Sequence, residues 1–263
     1  MTTNPQHARA PYRPADLPVS PADRHLAWLL AEWRRRSIAA GWPQPAAWLT
    51  PGAKAAVGAF FRPGRIRGAC AQLAADRADA DIPLLAALSD LDLLFLTAVG
   101  RGASDSVVSA YIAARHARLP VVDGYDQVCE LPGEALLRRH LMRRAADDPA
   151  DRPLVVAVEP QIGAYPAHER LRLALLVAQH VMEVFGTPAH LLDDGRLAVV
   201  AERQDALPAL VRLAGLAPYD PILAATGHAA VPTVRASVVT VLRDLSDAGA
   251  DDGAGGRDGL CVA

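Results

Sequence analysis

The sequence predicts an α+β protein, in which an N-terminal all-α helical domain precedes a domain with a mixed β-sheet. Three observations predict this class. Residues 21–118 show about five helical patterns and no strand. Pro153–Glu159 is a β-branched run without an internal polar residue, which is typical of a buried strand. Two short apolar runs flank Asp193-Asp-Gly195, which indicates a β-hairpin and argues against a purely parallel sheet.

Composition and charge narrow the class of protein. The 263 residues are 51% hydrophobic, which predicts a packed core, and the net charge of −2 makes nucleic-acid binding a poor candidate. No apolar run reaches about 18 residues, so no membrane span is expected. Cys70, Cys129 and Cys261 lack metal-site spacing, which indicates reduced thiols in a cytoplasmic protein. Without a P-loop or an H-E-x-x-H motif, we expect no cofactor and no metal.

The first helix is predicted from its start signals. Residues 1–20 are rich in Pro, Thr and Ala and are predicted to form a disordered leader. Ser20 is a suitable N-cap and is followed by Pro21, a residue favoured in the first helical turn. Arg34–Arg36 lies on the last turns of this helix. It has two interpretations, a solvated face favoured by the helix dipole or a phosphate-binding patch.

A rigid connector with two tryptophans, Gly41–Trp48, follows the first helix. Its indoles are expected either to pack under neighbouring helices or to form a ligand-recognition loop. Together with the helical residue Trp33, the connector residues Trp42 and Trp48 are predicted to provide a surface for dimerisation or for a protein partner.

Four further helical patterns complete the helical domain. A helix is predicted from Thr50-Pro51 to about Phe61, and others over Ile66–Ala78, Pro83–Val99 and Ser104–Arg118. Asp90 and Asp92 face different sides of their predicted helix, so they are not expected to form a carboxylate pair.

The second domain is predicted over residues 119–247, after a boundary marked by Pro and Gly in Leu119–Tyr125. A polar tail, residues 248–263, is predicted to be disordered. Between the boundary and this tail we expect seven features in chain order. They are a helix at Pro132–Arg143, the strand at 154, a helix at Ala167–Phe185, the hairpin, a helix at Gln204–Leu213, a strand at Pro221–Ala225 and a closing helix at Thr233–Asp247.

The order of these elements and some local sequence over residues 120–247 resemble the GGDEF domain of diguanylate cyclases. The family's opening segment, of the type D-x-L-T-G-L-P-N-R, corresponds to Asp126-Gln-Val-Cys-Glu-Leu-Pro-Gly-Glu134, which keeps Asp126, Leu131 and Pro132. The end of the family's first strand, which carries a metal-binding aspartate, corresponds to Val158-Glu-Pro160. The signature hairpin falls on Asp193-Asp-Gly-Arg-Leu197.

The departures from the family pattern concern the residues that its chemistry requires. Asp193 and Asp194 replace the two glycines, and Arg196 stands where the family has an acidic residue. Glu159 is the acidic residue available at the end of the first strand. The R-x-x-D product site of the family would fall at Val184–Thr187, where neither charged residue is present. The resemblance therefore implies a degenerate domain that is not an active cyclase.

Two functions follow as expectations from this resemblance. The first is a non-catalytic regulatory or protein-interaction module, with a protein partner or a second copy of the chain as its ligand. The alternative is a sensor that binds a guanine nucleotide or cyclic di-GMP without turnover. The candidates for contact with a ligand or a partner are the hairpin residues Asp193, Asp194 and Arg196, together with Glu159. In the sensor, Arg196 and the Arg-rich helix 138–144, which contains Arg138 and Arg139, would supply phosphate contacts.

Overall fold

The structure, a computed structural model, describes residues 20–148, 153–162, 167–215 and 234–239. Within these residues the chain forms eight α-helices, one short 3₁₀ turn at Pro45–Ala47 and four strands. In chain order they are α1 (Pro21–Ala39), α2 (Pro51–Ala59), α3 (Ile66–Asp79), α4 (Leu84–Val99), α5 (Asp105–His116), α6 (Glu134–Asp147), β1 (Leu154–Pro160), α7 (Ala167–Phe185), β2 (His190–Leu191), β3 (Leu197–Ala201), α8 (Arg203–Gly215) and β4 (Val234–Val239). The predicted α+β class is confirmed.

Local signals account for the helix starts that the sequence predicts. The Ser20 side chain accepts a hydrogen bond from the backbone N–H of Asp23 at 3.0 Å, and Pro21 is the first residue of α1. Thr50 caps α2 in the same way, accepting from the N–H of Ala53 at 3.1 Å. Each cap satisfies one of the N–H groups that the first turn leaves without a helical partner.

The four strands form a sheet of order β2-β3-β1-β4, and each of the three pairings is antiparallel. The described elements of this half follow a β-α-β-β-α-β order, which is the connectivity of the split β-α-β arrangement. The prediction of a mixed sheet is wrong for these strands. Both neighbours of β1, the hairpin strand β3 and the late strand β4, run opposite to β1.

The predicted closing helix at Thr233–Asp247 is also wrong over Val234–Val239, which forms β4. This segment pairs with β1 over six residues, from Val155 opposite Val239 to Pro160 opposite Val234. Its three valines favour a strand, and the short apolar run alone does not distinguish a helix from a strand. Pairing with the central strand decides the outcome.

Helices cover both faces of the sheet, as the predicted apolar character of β1 requires. Val156 and Val158 join the large hydrophobic cluster that includes residues of α7 and α8. Val155 points to the other face, where it packs with Leu137 and Leu141 of α6. Successive residues of a strand point to opposite faces, so one strand contributes to two apolar layers.

A buried ion pair organises the helical half. The Asp90 carboxylate of α4 accepts a hydrogen bond from the Arg77 guanidinium of α3 at 2.9 Å, and both side chains are 1% exposed. Asp90 also accepts from the Ser37 hydroxyl of α1 at 2.5 Å and from the Trp48 indole N–H at 3.1 Å. One carboxylate therefore fixes α1, α3, α4 and the connector relative to one another.

The tryptophans predicted to form an interaction surface are interior residues, so that prediction is wrong. Trp33 and Trp48 are 0% exposed and Trp42 is 7% exposed. The Trp33 indole N–H donates to the backbone carbonyl of Asp90 at 2.9 Å, and the Arg77 guanidinium lies 4.4 Å from the ring centroid of Trp42. The alternative interpretation, that the indoles of the connector pack under neighbouring helices, is confirmed.

The second aspartate of α4 connects the helical half to the sheet half. Asp92 forms an ion pair with Arg172 of α7, and Arg172 also donates to the Ser89 hydroxyl at 3.2 Å. Asp90 and Asp92 lie about 200° apart around the helix, so they face different sides of it, as the sequence predicts. Each pairs with a different arginine. Buried residues from Leu29 to Ala236 form one hydrophobic cluster across the predicted boundary at 118, which itself stays a prediction.

Several predictions lie outside the described residues: the leader, apart from Ser20, the strand at Pro221–Ala225, residues 240–247 of the closing helix, the tail at 248–263 and Cys261. Among the described helices, none combines the length and apolar character needed to cross a membrane.

We expect Asp90→Asn to destabilise the fold by about 3–5 kcal/mol, because it leaves the buried Arg77 charge without a counter-charge. Urea unfolding measures the change. Asp79→Asn is the control: its pair with Arg118 spans 3.6 Å with both side chains 56% exposed, so a change within about 0.5 kcal/mol is expected. Equal losses in the two variants would contradict a structural role for the buried pair.

Candidate functional site

The end of the sheet that carries the hairpin is the candidate site, because the register brings the predicted residues together there. Val158 of β1 lies opposite Leu197 of β3. The next residue of β1, Glu159, and the residue before β3, Arg196, therefore lie at the same end of the β1–β3 pairing. Glu159 is exposed and lies opposite Arg235 of β4 in the register.

The hairpin turn is built on Gly195. Its backbone has a φ of +83°, a left-handed conformation that glycine adopts without steric cost. The N–H of Gly195 donates to the carbonyl of Leu192 at 2.9 Å, and the N–H of Leu192 donates to the carbonyl of Arg196 at 2.8 Å. These two bonds close the turn and fix the positions of Asp193 and Asp194 at its tip.

Asp194 and Arg196 pair with each other across the turn. The Arg196 Nε donates to Oδ2 of Asp194 at 2.6 Å, and the Arg196 backbone N–H donates to Oδ1 at 3.0 Å. Partial burial raises the pKa of Asp194, but the hydrogen bonds and the charge of Arg196 outweigh it, so the pKa is lowered overall. The carboxylate is thus ionised at neutral pH and already has a cationic partner.

Glu134 contacts both Arg138 and the backbone of Asp193, and it is not among the predicted site residues. Arg138 donates to Oε1 of Glu134 at 2.9 Å from Nε and at 2.5 Å from its terminal nitrogen. The other oxygen, Oε2, lies 3.5 Å from the backbone N–H of Asp193. Glu134 is the first residue of α6, four before Arg138, and this i,i+4 spacing is the signal that would have identified the pair.

Arg139 lies apart from this contact. Its side chain is 56% exposed and reaches Asp123 at 3.7 Å. Three of the arginines predicted to contact phosphate therefore have an acidic neighbour within the chain: Glu134 for Arg138, Asp123 for Arg139 and Asp194 for Arg196. A phosphate group at this end of the sheet would have to compete with those carboxylates.

The segment that resembles the opening motif of the family forms a tight loop beside β2. Asp126 accepts hydrogen bonds from the N–H groups of Val128 and Cys129 at 2.9 and 2.8 Å. Glu130 has a φ of +61° and receives two bonds from the buried Arg115, at 2.5 and 2.8 Å. Asp126 therefore acts here as a turn-forming residue.

Neither a metal centre nor an activated thiol is found in the described part of the chain. Its His, Cys, Asp and Glu side chains form no group of three that could hold a metal ion. Cys129 lies shortly before the start of α6, a position where a helix dipole can lower the pKa of a thiol. Burial instead raises the pKa of this thiol to about 12, so it is protonated at neutral pH.

Comparison with known proteins identifies no relative: no family model matches the chain, and no significant match is found among curated proteins or among solved structures.

His190 of β2 makes the stability of this region sensitive to pH. Burial lowers its pKa from 6.5, hydrogen bonding to the backbone of Gly133 raises it, and the neighbouring His140 lowers it, with a net decrease. Below about pH 6.5 the unfolded state therefore binds a proton that the folded state does not, and stability rises with pH through this window.

We expect the free energy of unfolding to fall between about pH 7 and pH 5, and His190→Leu to reduce the slope. Urea unfolding at a series of pH values measures both slopes. Parallel slopes for wild type and His190→Leu would show that His190 does not titrate as its burial requires.

Proposed function

We propose that this chain is a non-catalytic regulatory or protein-interaction module built on a degenerate GGDEF-like domain. The observation that carries the proposal is the ion pair of Asp194 with Arg196 at 2.6 Å, on the turn where the resemblance places the signature residues. A divalent cation binds through carboxylate oxygens, and a guanidinium in contact with the carboxylate opposes a cation by charge and by position.

The turn chemistry supports the same proposal. In the family the two signature glycines leave room for a nucleotide to approach the backbone. Here Asp193 and Asp194 carry side chains at those positions, and Gly195 is used to close the turn at φ +83°. Glu159 retains an acidic group at the end of β1, and its register partner on β4 is the cationic Arg235.

An exposed aromatic patch on the helical half replaces the buried tryptophans as the proposed contact surface. We define it by Trp28, His25 and Phe61. Trp28 is 54% exposed and Phe61 is 44% exposed, and the His25 ring lies 5.6 Å from Trp28 and 5.4 Å from Phe61 between centroids. Aromatic side chains are enriched in protein interfaces, and symmetric dimers are the commonest soluble oligomers. We assign a second copy of the chain to this patch.

Sedimentation velocity over about a hundredfold range of concentration tests the patch. We expect wild type to pass from monomer to dimer, and the double variant Trp28→Ser/Phe61→Ser to stay monomeric, because the apolar contact area is lost. Val121→Ser is the control, since Val121 is 77% exposed and lies outside the patch. A wild type that stays monomeric would exclude the second copy, and a dimer retained by the double variant would exclude the patch.

Thermal unfolding with GTP and with cyclic di-GMP, each with and without magnesium, separates the proposal from the sensor alternative. We expect a midpoint shift below about 1 °C at millimolar nucleotide, because the arginines near the hairpin are paired with acidic residues. A dose-dependent rise of several degrees that is lost in Arg196→Gln would favour the sensor. GTP turnover with magnesium would contradict the non-catalytic assignment.

A further inference from the structure

A cavity opens on the helical half, between the connection that joins α2 to α3 and the connection that joins α4 to α5. Its volume is about 440 Å³, within the range of small-molecule sites. The rings of Phe60 and Phe95 meet edge to face at 5.1 Å between centroids, and Ile66 and Val99 line the same cavity. These side chains offer an apolar surface to a ligand.

Two arginines, Arg62 and Arg101, line this cavity from the two different connections. Both are exposed, and neither makes an ion pair or a side-chain hydrogen bond with any residue that the structure describes. No Asp or Glu belongs to the cavity lining among the described residues. This differs from the hairpin end of the sheet, where the arginines contact carboxylates. Within the cavity lining, the positive charge of the two arginines therefore has no acidic counterpart.

Ser104 adds a polar group at the same cavity. It is the N-cap of α5, and its hydroxyl lies 3.3 Å from the hydroxyl of Ser106. The start of a helix of this length carries a partial positive charge and backbone N–H groups without helical partners. Its contribution has the same sign as that of the two arginines, whereas Asp105, the first residue of α5, carries a negative charge and lies outside the cavity lining.

We propose that this cavity binds an amphipathic organic anion. The carboxylate or phosphate group of the ligand pairs with Arg62 and Arg101, because guanidinium groups bind both kinds of oxyanion through charge-assisted hydrogen bonds. The aliphatic or aromatic body of the ligand packs against Phe60 and Phe95. This site lies on the helical half and does not depend on the proposed function of the hairpin end.

Calorimetric titration of the full chain with matched probes tests the proposal. Octyl phosphate and octanoate combine an acidic head with an apolar chain, whereas octanol lacks the charge and inorganic phosphate lacks the chain. We expect at least one of the amphipathic anions to bind about tenfold or more tightly than octanol and than inorganic phosphate. The tighter of the two identifies the preferred head group.

Variants of the cavity provide the second arm of the test. Arg62→Gln/Arg101→Gln is expected to weaken binding of the amphipathic anion by about tenfold or more, because both charge-assisted bonds are lost. Arg67→Gln removes one charge from the first turn of α3, outside the cavity lining, and should bind like wild type. Val99→Glu, at a half-exposed lining residue, should also weaken binding by placing a carboxylate beside the anion.

Three results would overturn the proposal: no binding of either amphipathic anion at millimolar concentration, binding of octanol as tight as that of the anions, or equal binding by the double variant and by Arg67→Gln. The first two comparisons use wild type alone, so they hold even if a variant fails to fold.

Discussion

Helix α4 carries the constraint on which the other packing depends, since its two aspartates each bind a buried arginine. Asp90 holds Arg77 within the helical half, and Asp92 holds Arg172 of α7 in the sheet half. Burial raises the pKa of Asp90, although the charge of Arg77 and the hydrogen bonds to Asp90 lower it, so this pair carries a desolvation cost. Moving either arginine away would leave a buried charge unpaired, which restricts the positions that the helices can take.

Much of the fold could be predicted from local sequence signals, and the errors come from contacts between distant residues. The caps at Ser20 and Thr50 are encoded within one helical turn, so the starts of α1 and α2 are predictable. The burial of Trp33 depends on Asp90, 57 residues later, which a helical pattern does not reveal. Likewise, Val234–Val239 becomes a strand because β1 offers it a pairing edge.

The candidate site could be predicted to a similar extent. The resemblance groups Glu159 with the hairpin residues as candidates for contact, and the register places them at one end of the sheet. The pairing of Asp194 with Arg196 depends on the turn geometry that Gly195 allows, which residue types alone do not define. Arg62 and Arg101 are separated by 39 positions in sequence, and only the packing of α2 to α5 brings them to one cavity.

Coincidence of unfolding in the two halves most directly tests whether α4 joins them. All four tryptophans lie between residues 28 and 48, so their fluorescence reports the helical half. Amide hydrogen exchange of β1 and β3, measured in the same urea series, reports the sheet half. If the two aspartates of α4 hold both halves together, the two transitions coincide in wild type and separate in Asp92→Asn. Sheet amides that exchange in wild type at urea concentrations where the fluorescence is still native would contradict the claim that α4 holds the two halves together.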